Sequence, residues 1–144
     1  MKNLILIGII LFTSITAISQ TQRKSTFKKE IGSVSVEKLD MLKDSVIQAQ
    51  IVTISFENIK AEESVDFVVI FFTQQVEITN FIDELKKSLV NCEGEKKADF
   101  RYVQTTGSKS EILIHDDTKL KITSVSPEEA KELITALQSI TIKK

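Results

Sequence analysis

Six apolar residues in a row, Phe67-Val68-Val69-Ile70-Phe71-Phe72, constrain this chain more than any other stretch. A strand with one wet face alternates apolar and polar side chains. Here Phe67, Val69 and Phe71 fill one phase, and Val68, Ile70 and Phe72 fill the other. The run is far too short for a membrane helix, which needs roughly 20 residues. It reads as a central strand covered on both sides, and so it calls for a layered fold with a sheet inside.

The neighbouring patterns say what the layers are. In "IVTISFEN", residues 51–58, Val52, Ile54 and Phe56 alternate with Thr53, Ser55 and Glu57, as in a half-buried strand. "ITNFIDELKKSLVNCEG", residues 78–94, switches to helical period. Phe81, Ile82, Leu85 and Leu89 form its stripe, Asp83 and Lys87 pair one turn apart, and Gly94 ends it. Three strand candidates follow, "DFRYVQT", "EILIH" and "KLKITSV", with turns at Gly107 and at Asp116-Asp117-Thr118. In "SPEEAKELITALQSI", Ser126 caps a helix, Pro127 suits its first position, and Glu129 closes a capping box. Ala130, Leu133, Ile134 and Leu137 give that helix one apolar stripe. "SVEKLDMLKDSV", residues 35–46, spaces Leu39, Leu42 and Val46 helically and predicts a further short helix. The expected class is α+β: a mainly antiparallel sheet of about five strands with two helices on one face. Its order is strand, strand, helix, three strands, helix.

The N-terminus points to a compartment. Lys2 precedes an apolar run from Leu4 to Phe12, and Ala17-Ile18-Ser19 supplies small residues before a cut at Gln20. Residues 1–19 therefore read as a signal peptide, with export to the periplasm or beyond. Lipidation at the cut needs a cysteine, and Gln20 stands there. Removal leaves 144 − 19 = 125 residues, enough for a core without staples. Residues 20–34 read as a flexible leader and 35–144 as a single α+β domain, with no membrane span in the mature chain. Cys92 is the only cysteine, which excludes an intramolecular disulfide and leaves pairing with another chain open.

A short signal before glutamine, a strand–helix–strands core and the terminal "SPEEAKELITAL" helix resemble small exported proteins of Bacteroidota-type bacteria. The resemblance implies export and an α+β core, and it implies no activity.

Charge narrows the partners. Without Lys2, 18 basic residues face 20 acidic ones, and "RKSTFKK" at 23–29 is the only basic cluster. That is no stripe for a phosphate backbone, so nucleic acid is excluded as a partner. His115, the only histidine, precedes two aspartates. Along an extended strand His115 and Asp117 converge while Asp116 points away. Two ligands fall short of the three or more that hold zinc, so the triplet reads first as a hairpin turn and second as a metal half-site. Cys92 with His115 is a poor nucleophile–base pair, because a helix C-terminus and Glu93 and Glu95 disfavour a thiolate. No catalytic residue and no cofactor are expected.

One patch carries the functional expectation. Val68, Ile70, Phe72, Val103 and Leu113 fall together on the second sheet face, ringed by Thr53, Ser55, Arg101, Lys119 and Lys121. Either Leu39, Met41 and Leu42 fold over it, or another molecule does. The chain is expected to be an exported, non-enzymatic binding or interaction module of the cell envelope, meeting a protein partner or a second copy. The alternatives are a metal- or small-ligand-binding protein using His115 and neighbouring carboxylates, and a carrier of a small apolar ligand.

Overall fold

The first strand begins where a leader was expected. A computed structural model describes residues 21–58 and 66–143, so the expected signal peptide lies outside the described residues. Four strands come first: β1 (Gln22–Ile31), β2 (Val34–Lys43), β3 (Val46–Asn58) and β4 (Asp66–Phe72). Helix α1 (Gln75–Glu93) follows. Four shorter strands come next, β5 (Lys97–Asp99), β6 (Val103–Thr106), β7 (Ile112–His115) and β8 (Ile122–Val125), and then helix α2 (Pro127–Gln138). The α+β class, the two helices and the antiparallel pairing are as expected. The single five-stranded sheet is replaced by two four-stranded meanders, β1-β2-β3-β4 (sheet A) and β5-β6-β7-β8 (sheet B).

Four local expectations change with it. Residues 22–31 form an edge strand, not a leader, and 35–46 lie in β2, its following turn and the first residue of β3, not in a helix. The spacing of Leu39 and Leu42 fits a helix, but Val34 and Val36 alternate inward against Phe56 and Ile54 of β3. Tight turns fix that register. Gly32 takes a left-handed φ of 54°, and Asp44 and Ser45 both lie at positive φ, which suits a two-residue hairpin. β4 stands at the edge of sheet A, and because the helices cover only one face of that sheet, only its Val68–Ile70–Phe72 phase is buried. "DFRYVQT" is broken after Asp99, where Phe100 N donates to Val103 O and the chain turns into β6.

The helices form where local signals put them. Glu77 of α1 accepts from the Thr73 and Gln74 amides at 2.9 and 3.0 Å. In α2, Ser126 Oγ accepts from Glu129 N at 3.2 Å while Glu129 Oε2 accepts from Ser126 N at 2.9 Å, a complete capping box. One continuous core joins both halves. Val36, Ile54 and Phe72 of sheet A, Phe81 and Leu85 of α1, Leu133 and Leu137 of α2, and Ile112 and Ile114 of sheet B are all fully buried in it. Helix α2 packs against β1 and β2, while α1 lies on β4 and on β5, β6 and β7. The segment after α2 closes the open end of sheet A. Ile140 is buried, Lys38 Nζ donates to Thr141 O at 2.6 Å, and Lys143 N donates to Gln50 Oε1 at 2.7 Å. Gln50 Nε2 in turn donates to Asp40 Oδ1 at 2.8 Å, so this buried polar pair is satisfied.

Candidate functional site

The five residues of the expected interaction face do not stay together. Val68, Ile70, Phe72 and Val103 meet inside the core beneath the helices. Leu113 lies across from Gln104 and Ser124, in the other phase of β7 from the buried Ile112 and Ile114. The helices cover the face that was expected to be open. The opposite face of sheet A carries Phe67, Val69 and Phe71 on β4, set against Glu57, Ser55 and Thr53 on β3. Farther along, Ile51 lies across from Leu39 and Ala49 from Met41. Leu39 and Met41, read as a cover, are members of this second face. Phe71 is 61% exposed there.

His115, Asp116 and Asp117 take three separate roles. His115 N donates to Tyr102 O at 3.0 Å, which extends the β6–β7 ladder, and the ring is fully buried. Its Nδ1 lies 3.1 Å from Asp116 O, and Nε2 has no partner. Asp116 builds the β7–β8 turn. Its carboxylate accepts from Thr118 Oγ1 at 2.9 Å and from the amides of Leu120 and Lys121 at 3.2 and 3.4 Å. Desolvation is the largest single influence and opposes ionisation, but these hydrogen bonds together outweigh it and hold the carboxyl below its ordinary value. Asp117 is exposed and holds Arg101 at 3.0 Å. His115 and Asp117 thus do not converge. Among the described residues no group of three or more His, Cys, Asp or Glu side chains is placed to hold a metal. Cys92 is buried, and its thiol donates to Ser108 O at 3.0 Å.

The ion pair to Asp117 leads to a site that the sequence reading missed. A groove of about 320 Å³ lies between α1 and the β5–β6 turn. Glu77, Asn80, Glu84 and Lys87 form its helical wall, at spacings of three, four and three residues. That polar stripe was the available signal, but a solvated helix back looks the same. Phe100, Arg101 and Tyr102 form the other wall. The Arg101 guanidinium lies 4.8 Å from the centre of the Tyr102 ring. Tyr102 N donates to Glu84 Oε2 at 2.9 Å, and the ring packs edge-on against Phe72 and Phe81. Burial, and then the hydrogen bond to Asp117, push the phenol up to about 12. The hydrogen bond to Asp117 likewise raises Arg101 above its ordinary value.

A second hollow of about 360 Å³, lined by Lys86, Lys87, Val90, Asn91 and Phe100, continues the groove along α1. Lys87 and Phe100 belong to both. The ion pair expected between Asp83 and Lys87 does not form: both residues line the groove instead.

No family model, curated protein or solved structure matches the chain. Among the described residues no helix is long and apolar enough to cross a membrane.

Proposed function

We propose that the protein is an exported, non-enzymatic interaction module of the cell envelope that associates through the face and edge of sheet A that no other described element covers. The observation that carries this reading is the contrast between the two edges of that sheet. At one edge, β1 carries Arg23, Lys24, Lys28 and Lys29 and a bulge between Ser25 and Phe27. Charges and bulges are how natural edge strands avoid pairing with other chains. At the other edge, β4 has no charged residue after Asp66, and it presents Phe71 to solvent. An unguarded apolar edge of this kind favours strand addition.

The sequence of β4 supports a second copy as the partner. Phe67-Val68-Val69-Ile70-Phe71 reads almost the same in both directions. Antiparallel pairing about Val69 sets each Phe67 against a Phe71 of the other copy, and each Val68 against an Ile70. Such a twofold contact is self-complementary, as isologous dimers require. Aromatic cross-strand pairs would add to its stability.

Sedimentation of the purified full chain against Phe71→Asp tests the reading. The wild type should associate in a concentration-dependent way, while the variant sediments as a monomer with an unchanged melting temperature. A wild type that stays monomeric and matches the variant at every concentration would defeat the proposal. Because Phe71 is mostly exposed, loss of the fold does not confuse the outcome.

A further inference from the structure

We infer that the trough along α1 binds an extended peptide carrying a basic side chain and, three residues away, an apolar one. Asn80, Asp83, Lys87 and Val90 lie on one face of α1, spaced by three, four and three residues. All four are exposed along the two hollows. The far wall is fixed in advance: Asp117 holds Arg101, and Glu84 holds the Tyr102 backbone. A wall that is already ordered lowers the cost of binding.

The order of chemistry along the trough selects the ligand. Its polar half contains Glu77, Asp83 and Glu84, whereas the charge of Arg101 is already matched by Asp117. That half favours a cation. Asp83 and Lys87 take part in none of the ion pairs among the described residues, so both remain open to a ligand. The other half pairs Phe100 with Val90, which is 69% exposed, and suits an aliphatic side chain. From Asp83 to Val90 is seven residues, or about 10 Å along a helix. A polyproline-type segment brings residues three apart to the same side at about 9 Å, and its backbone carbonyls are free to accept from a group such as Lys87. A single inorganic ion matches neither the length nor the alternating signs. A bare acyl chain does not match the carboxylate half.

Calorimetry with the full chain and a blocked lysine-proline-proline-leucine tetrapeptide is the test. Two control peptides replace the lysine by glutamate or the leucine by serine. The parent peptide should bind, and each control should bind about tenfold or more weakly, a difference well resolved by titration. In Asp83→Lys the preference should reverse toward the glutamate peptide, and Val90→Ser should remove the advantage of leucine over serine. Both changes are at exposed positions on the helix. Failure of the parent peptide to bind at millimolar concentration, or equal binding of all three peptides, overturns the proposal. Displacement of the peptide by a dodecyl amphiphile insensitive to Asp83→Lys also overturns it, in favour of a lipid site. Phe71→Asp should bind the parent peptide as the wild type does, so this result stands apart from that on self-association.

Discussion

Tyr102 is the only tyrosine in a chain without tryptophan, so its ionisation is readable directly from phenolate absorbance. Because the folded phenol is raised from 10.0 to about 12, the folded state retains its proton where the unfolded chain has lost it. The stability this provides is complete below the unfolded value, and it disappears as pH rises through the folded one. The native absorbance titration should therefore have its midpoint near 12, and alkaline unfolding should set in between 10.0 and that value. In Asp117→Asn the midpoint should move down, because the second cause of the shift is removed. A midpoint at the ordinary value in the folded protein would show that Tyr102 is not held as described. Gly32 gives a second check. Its φ of 54° is left-handed, and a methyl placed there would run into Glu129 Oε1 of the α2 capping box. Gly32→Ala should cost about 2 kcal/mol in denaturant melts, more than a left-handed alanine alone. At this scale the sequence was partly legible. Asp116 as a turn residue follows from aspartate chemistry in the chain next to it. The grip of Asp117 on Arg101 spans 16 residues, and no local pattern encodes it.

Among the elements, the start and the buried stripe of α2 were legible, since its cap, its proline and its stripe all lie within one short segment. Ser126→Ala should cost about 1 kcal/mol in thermal or chemical unfolding, the usual loss for an N-cap. No measurable change would mean that the capping box is not formed in solution. The strands were less legible, because what decides them lies in other strands. β1 reads as a leader because the residues that guard an edge strand are also those of a solvated tail. β2 reads as a helix because Leu39 and Leu42, three residues apart, fit a helical stripe, and only pairing with β3 shows that Val34 and Val36 set the inward phase of a strand. For β4, apolar residues in both phases predict two covered faces. In the structure one phase is covered and the other is left to the surface. The misplaced patch and the exposed one are therefore the same strand seen from opposite sides.

Among the described residues, the order of four strands and a helix occurs twice, with long strands in the first half and short ones in the second. One core serves both. Asp40 of β2 and Gln50 of β3 are buried beside it, where the segment after α2 bonds to Gln50. Removing residues 141–144 would strip the Lys143 amide from Gln50 and the Thr141 carbonyl from Lys38. A loss of about 1–3 kcal/mol in chemical denaturation is expected from leaving such a buried polar group short of a partner. If the truncated chain melts with the wild type, the tail is not the cover it is taken to be.

That tail also orders events in time. Nearly all the pairing in both sheets is between strands adjacent in the chain, and such contacts form early because little loop entropy opposes them. The bond between Lys143 and Gln50 spans 93 residues, so it can form only after almost the entire chain is available. Folding would then join the two locally paired meanders first and close sheet A last, through a contact that no neighbouring segment can make early.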